Sequence, residues 1–296
     1  MQNFYHTLIS VDQLATALGT SHAATGLVVV DCRFSLMNPD QGAQEYAEEH
    51  VEGAVYAHLD HDLAAPITPA SGRHPLPAAS VFSEKLKSWG IDANTQVVVY
   101  DHGPGAIAAR LWWMLRWVGH HHVALLDGGF RAWREAEMPC SGGASAAVSS
   151  GDSETLTVND PMWVTTEALQ QQLREIVLTD ARSMERYQGK SEPIDPVAGH
   201  IPGAISAAFE QNLGQDGRFL NPQQLKQRFQ QLGVGAATDS QYQHVVHMCG
   251  SGVTACHNIL AMEIAGMPGS RLYVGSWSEW IRDPQRPVVS ESSDSV

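Results

Sequence analysis

Cysteine is scarce in this chain. Its 296 residues contain four, Cys32, Cys140, Cys249 and Cys256, with no CxxC pair and no regular spacing. That excludes a disulfide framework and thiolate zinc sites, and it leads to the expectation of a reducing compartment. Cationic side chains are also few: 18 Lys and Arg face 32 Asp and Glu, for a net charge of −14. Such an acidic chain is a poor partner for nucleic acid or an anionic membrane. No apolar run approaches the ~20 residues that span a bilayer. The opening Met1-Gln-Asn-Phe-Tyr-His lacks the charged and apolar regions of a secretion signal, so a cytoplasmic location is expected.

The chain does contain a repeat. Leu27-Val-Val-Val-Asp31-Cys-Arg33 corresponds to Ile176-Val-Leu-Thr-Asp180-Ala-Arg182, the aspartates lying 180 − 31 = 149 positions apart. His50-Val-Glu-Gly53-Ala54 corresponds to His200-Ile-Pro-Gly203-Ala204 at an offset of 150. Val97-Val-Val-Tyr-Asp101 corresponds to Val245-Val-His-Met-Cys249 at 148, and Leu125-Leu-Asp-Gly128 to Leu272-Tyr-Val-Gly275 at 147. Ordered matches at a period near 150 residues describe a duplicated domain rather than a solenoid. The Gly-, Ser- and Ala-rich stretch 141–160 separates the copies as a linker, giving domains at 1–140 and 161–296. Within the second copy, helices are expected at 165–175, 222–232 and 252–265, and strands at 176–181, 244–249 and 271–275. This alternation specifies an α/β fold, each domain a mainly parallel sheet with helices on both faces, and ligands collect at the carboxyl ends of such strands.

At one such end an apolar strand runs into Cys249-Gly-Ser-Gly-Val-Thr-Ala255, a loop of small residues before a helix. Converging amides of Gly250, Gly252, Val253 and Thr254, together with a helix N-terminus, favour a thiolate and an anion beside it. Thr254 also has a simpler reading as the cap of the following helix. The first copy has Asp101 in place of the cysteine, and a carboxylate cannot act as a sulfur nucleophile. The second copy is therefore expected to carry the chemistry.

Together, the Asp180-Ala-Arg182 turn, His200-Ile-Pro-Gly-Ala, the Cys249 loop and Gly275-Ser-Trp-Ser-Glu-Trp280 resemble the two-domain sulfurtransferases of the rhodanese family, over nearly the whole chain. The resemblance implies two tandem rhodanese-like domains and a cysteine that accepts sulfane sulfur as a persulfide, then passes it to a thiol, a thioredoxin-like protein or cyanide. It implies no metal or organic cofactor. Thiosulfate enzymes of the family carry Arg and Lys directly after the cysteine. Gly250 and Ser251 are uncharged, and Cys-Gly-Ser-Gly-Val-Thr-Ala is similar to the loop of the 3-mercaptopyruvate enzymes, whose donor carries a single carboxylate. The resemblance gives Arg186 the role of binding that carboxylate. A second arginine is expected nine residues on, where this chain has Asp195. Arg182 is a candidate substitute, with a core ion pair as its other reading. Ser251, His74 and Asp60 match a proton relay of the family, which would supply the proton that a departing enolate needs. A monomer is expected.

Other signals carry less. His120-His-His122 and the His58/His61 pair suggest metal ligands, but no set of Cys or carboxylate partners accompanies them, and the triplet reads as a solvated turn. Cys256 reads as a buried helix position rather than a resolving thiol, Cys32 as inert, and Trp112, Trp113 and Trp117 as packing. A cysteine phosphatase would need an arginine six residues after Cys249, where Ala255 stands. Two alternatives remain open: a thiosulfate:cyanide sulfurtransferase, and a non-catalytic sulfur carrier or regulatory module.

Overall fold

A computed structural model describes residues 4–19, 26–143, 158, 160–235 and 241–291. The chain forms two compact units. Unit 1 comprises residues 1–65, 77–159 and 215–219, and unit 2 comprises 66–76, 160–214 and 220–296. Most of the linker expected at 141–160 lies outside the described residues.

In unit 1 the chain runs β1 (Leu8–Ile9), α1 (Val11–Gly19), β2 (Leu27–Asp31), α2 (Gln41–Glu48), β3 (His50–Val51), β4 (Val55–Tyr56), α3 (Leu59–Asp62), α4 (Ala79–Ser88), β5 (Gln96–Tyr100), α5 (Ala108–Trp117), β6 (Val123–Leu126), α6 (Gly129–Glu135) and β7 (Cys140–Ser141). Five strands pair in the order β1-β6-β5-β2-β4, all parallel, while β3 and β7 form a separate antiparallel pair. The Val-rich runs of β2 and β5 suit a sheet covered on both faces, and every residue of β5 is buried. Helix α5 buries nine of its ten residues, with Trp112, Trp113 and Trp117 in the core. Its indoles are packing, as the sequence suggests.

Unit 2 repeats this plan with β8 (Trp163–Val164), α7 (Thr166–Gln172), β9 (Val177–Asp180), α8 (Met184–Gln188), β10 (Ile205–Ser206), α9 (Pro222–Gln231), β11 (Val245–Met248), α10 (Ala255–Ile264), β12 (Arg271–Tyr273) and α11 (Ser276–Trp280). Its parallel sheet has the order β10-β9-β11-β12-β8, the same path through space as unit 1. The two α/β sheets are thus built on one topology, and the repeat seen in the sequence is a repeat of the fold.

The repeated residues perform the same structural work in each unit. Arg33 forks onto Asp31 (2.9 and 2.7 Å to Oδ2) and lies 4.1 Å over the Phe130 ring. Arg182 forks onto Asp180 (3.0 and 2.6 Å to Oδ2) and lies 4.7 Å over Trp277. Tyr46 stacks on His50 and Tyr187 on His200, while each tyrosine hydroxyl donates to a carbonyl of the Gly-Ala turn, at Ala54 or Ala204. These buried polar groups are paired, which offsets the cost of removing them from water.

The His120–His122 turn departs from its solvated reading. His120 is buried, and burial lowers its pKa to about 4; His122 stacks on Phe4 at 3.7 Å. The turn follows α5 so closely that the His120 amide bonds Leu115 O, which draws the first imidazole inward. No group of three potential metal-ligating side chains occurs among the described residues.

Candidate active site

Strand β11 delivers Cys249 to the carboxyl end of the unit 2 sheet, where it is buried at 1% exposure. Three bonds fix its backbone and that of its neighbour. The Cys249 amide donates to Ser276 Oγ (3.1 Å), the Trp277 amide to Cys249 O (3.0 Å), and the Ser278 amide to Gly250 O (2.9 Å). Unit 1 has the same backbone clamp, from Phe130 to Asp101 O (2.8 Å) and from Arg131 to His102 O (3.0 Å). Ser276 escaped notice in the sequence, although it sits at φ +50°, a region that a non-glycine residue adopts only under constraint.

The loop then closes over the sulfur. The Gly252 amide donates to Cys249 Sγ at 3.1 Å. Gly252 has φ +77°, and a Cβ there would stand 2.3 Å from Val274 O, so only glycine fits. The amides of Ser251, Val253 and Thr254 have no acceptor among the described residues. Thr254 occupies the N-cap position of α10 without a side-chain capping bond. Its backbone is already helical (φ −69°, ψ −15°), whereas a capping hydroxyl reaches the next amides from an extended backbone. The capping expectation therefore fails, and the unfilled donors at this helix start face the loop instead.

Unit 1 reveals what such donors hold. The Asp101 carboxylate accepts from the amides of Gly103 (3.0 Å) and Gly105 (2.9 Å) through Oδ1, and from Ile107 (2.9 Å) and Ala108 (3.3 Å) through Oδ2. The non-nucleophilic copy carries its own anion in the cradle. The Cys249 copy has a sulfur there and amides to spare.

Segment 66–76 packs within unit 2 and brings two further groups to the loop. A 2.7 Å hydrogen bond joins His74 Nδ1 to Ser251 Oγ, and both residues are buried. Asp60 is the second residue of α3 in unit 1, where its amide donates to His58 Nδ1. Preceding His74, Arg73 is anchored through its amide to Ser278 Oγ (3.0 Å) and through its guanidinium to Asp195.

Arg186, on α8, binds Glu192 through Nε (3.1 Å) and Nη2 (2.8 Å) and reaches Asp195 Oδ2 at 3.0 Å. Arg182 is held by Asp180, Gly199 O (2.7 Å) and Glu192 (3.4 Å), with its side chain 1% exposed. This is the geometry of the core ion pair and matches Arg33 in unit 1, leaving no exposed edge for a donor. Burial raises the Asp195 pKa, as does the neighbouring Glu192 carboxylate, against the opposing pull of Arg73, Arg186 and Arg182. Cys256 is buried, its thiol donating to Gly252 O at 3.4 Å, and burial pushes the Cys32 thiol well up.

A family description, the rhodanese-like domain, matches residues 10–136 and again 165–283. A Pseudomonas aeruginosa protein named "Probable 3-mercaptopyruvate sulfurtransferase" is 48% identical over 96% of this chain and 98% of its own length. The 3-mercaptopyruvate sulfurtransferase of Rattus norvegicus is 35% identical over 97% of the chain and 96% of its own. Among solved structures, the 3-mercaptopyruvate sulfurtransferase of Leishmania major superposes with a TM-score of 0.79 at 28% identity, covering 93% of this chain and 74% of that one. With the rhodanese-like description matched once in each half and full-length relatives of this similarity, the chain belongs to the rhodanese family, as a protein of two rhodanese-like domains.

Proposed function

We propose that this protein is a 3-mercaptopyruvate sulfurtransferase working through a persulfide on Cys249. The observation that carries this reading is the buried Ser251–His74 hydrogen bond, two residues beyond the nucleophile, at a position where a cationic side chain would suit a dianionic donor. The charge balance of the surrounding cluster supports it. Arg73, Arg182 and Arg186 are matched by Asp180, Glu192 and Asp195, so the site offers directed N–H groups without a large positive excess. A donor with one carboxylate suits that balance better than thiosulfate.

The Cys249 thiolate attacks the sulfur of the donor. An S–S bond forms and the C–S bond breaks, its electron pair passing to carbon to give the enolate of pyruvate. The proton leaving the sulfur ends on that carbon, so a thiolate and mercaptopyruvate become a persulfide anion and pyruvate. Ser251, held by His74, is placed to carry this proton, and the family pattern gives Asp60 the position behind His74. The amides of Ser251, Gly252, Val253 and Thr254 stabilise the persulfide, as the sister loop stabilises a carboxylate. A thiol, a thioredoxin-like protein or cyanide then takes the outer sulfur and restores the thiolate. No step needs a metal or organic cofactor, and the reading places the enzyme in a reducing, cytoplasmic setting as a monomer.

Mass spectrometry after exposure to 3-mercaptopyruvate tests the first half-reaction. The Cys249 peptide gains one sulfur atom while an equivalent of pyruvate is released. Pyruvate release without that gain, or neither event, overturns the persulfide reading.

A further inference from the structure

The duplication extends beyond the sheets to a short strap. Gly72-Arg73-His74 corresponds to Gly217-Arg218-Phe219, at an offset of 217 − 72 = 145. Each triplet belongs to the unit built from the other half of the sequence, 66–76 to unit 2 and 215–219 to unit 1. In unit 2 the His74 ring bonds Ser251 of the cysteine loop at 2.7 Å. In unit 1 a Cβ built on Gly105, within the Asp101 loop, would stand 3.6 Å from the Phe219 ring. The copy with a nucleophile thus has a ring that can carry a proton, and the copy without one has a ring that cannot.

One helix position holds the strap in both units. Ser278 of α11 and Arg131 of α6 correspond, since their amides donate to Gly250 O (2.9 Å) and His102 O (3.0 Å), each the carbonyl next to the loop's first residue. The Arg131 side chain donates to Asp216 O of its strap. The Ser278 hydroxyl accepts the Arg73 amide at 3.0 Å and donates to Gly275 O at 3.4 Å. Ser278 therefore grips the carbonyl one residue before Ser251 and the amide one residue before His74. These two bonds, from a buried residue, set the separation of the two relay groups. Packing tightens the joint: a Cβ on Gly72 would stand 2.6 Å from Gly275 O and 2.9 Å from Ser278 Oγ.

Resting on the relay reading above, we propose that Ser278 is the positioning residue of the Ser251–His74 pair. It bonds backbone atoms rather than reacting ones, so it acts through His74. A misplacement of about 1 Å at a proton-transfer group is enough to cost on the order of a hundredfold in rate.

Steady-state kinetics on the full chain, paired with alkylation of Cys249 and imidazole 15N spectra, tests this. Ser278→Ala is expected to lower kcat with 3-mercaptopyruvate by about tenfold to a hundredfold at unchanged KM, and to add nothing in a His74→Gln background. Iodoacetamide should alkylate Cys249 at the wild-type rate, because the backbone bond from residue 278 to Gly250 O remains. The His74 Nδ1 signal, assigned by its loss in His74→Gln, should move in Ser278→Ala. Gly72→Ala keeps the hydroxyl but crowds the same joint, and should reproduce the kinetic and spectral changes. Where His74→Gln is slow, an unchanged kcat in Ser278→Ala, an equal loss in both backgrounds, a parallel fall in alkylation or an unmoved Nδ1 signal would each overturn the proposal. If His74→Gln is as fast as the wild type, the relay reading fails instead, and the Nδ1 signal alone decides whether Ser278 anchors the ring.

Discussion

His74 Nδ1 and Ser251 Oγ lie 2.7 Å apart although 177 positions separate them in the chain. The contact exists because segment 66–76 packs within the nucleophile's own unit, anchored by Arg73 N on Ser278 and by Arg282 on Ser71 O. It places a titratable ring behind a hydroxyl in the cysteine loop, where the proposed chemistry must move a proton.

Replacing either partner should therefore slow sulfur transfer rather than unfold the chain. Ser251→Ala and His74→Gln are each expected to lower kcat with 3-mercaptopyruvate by about 10²- to 10⁴-fold, the usual range for a lost proton-transfer group. Steady-state kinetics on the two variants and their combination measures it. Because the pair acts as a unit, the double variant should be little worse than the poorer single one.

In unit 1 the corresponding loop residue matters for stability rather than for transfer. Asp101 satisfies four amides with one buried carboxylate. Asp101→Ala leaves those donors unpaired and should cost on the order of 3 kcal/mol in urea unfolding. Its persulfide formation at Cys249 should survive wherever the variant remains folded.

Gly250→Ala should do the reverse. The added methyl would meet Arg73 Nη2 at 2.8 Å and push the guanidinium aside. Stability should change by less than about 1 kcal/mol, since the displaced atom ends a flexible side chain. A mercaptopyruvate kcat/KM that falls by at least about tenfold is the expected kinetic result.

Acid sensitivity follows from two buried histidines. His247 is fully buried, and burial, with the nearby Arg228 charge, lowers its pKa to about 3; burial holds His120 at about 4. An unfolded histidine titrates near 6.5, so between about pH 6.5 and pH 4 the unfolded chain binds protons that the native one does not. Stability is fully present above that window and falls with pH inside it, by about 1.4 kcal/mol per pH unit for each histidine. Burial raises Asp127, Asp195 and Glu210, which act in the opposite sense at the acid end because the native state keeps their protons longer. Urea midpoints measured across this range should decline more gently in His247→Asn than in the wild type.

Much of this could be read from the residues because the duplication repeats its constraints. Asp-x-Arg recurs as a core ion pair, His-x-x-Gly-Ala as a ring stacked on tyrosine, and the strand into Cys249 as a sheet end. Periodicity and spacing reveal such local features directly. Helix α10 was expected from residue 252 and begins at Ala255, since the turn that cradles sulfur takes up its first residues. Arg73 and Glu192 went unassigned because their roles depend on long-range pairing, which spacing does not encode. Two clues were present: Arg73 adjoins His74, and the Asp195 carboxylate stands where an arginine is expected and so needs a cationic partner. The relation of Ser276 to Cys249 likewise depends on a backbone conformation that its sequence neighbours do not announce.

The most direct measurement compares 3-mercaptopyruvate with thiosulfate as sulfur donor on the purified full chain, with Cys249→Ser as control. A kcat/KM higher by orders of magnitude is expected for mercaptopyruvate, with no transfer by the control. Equal or better use of thiosulfate would contradict the donor assignment drawn from Gly250, Ser251 and the balanced arginine cluster. Transfer that persists in Cys249→Ser would contradict the persulfide itself.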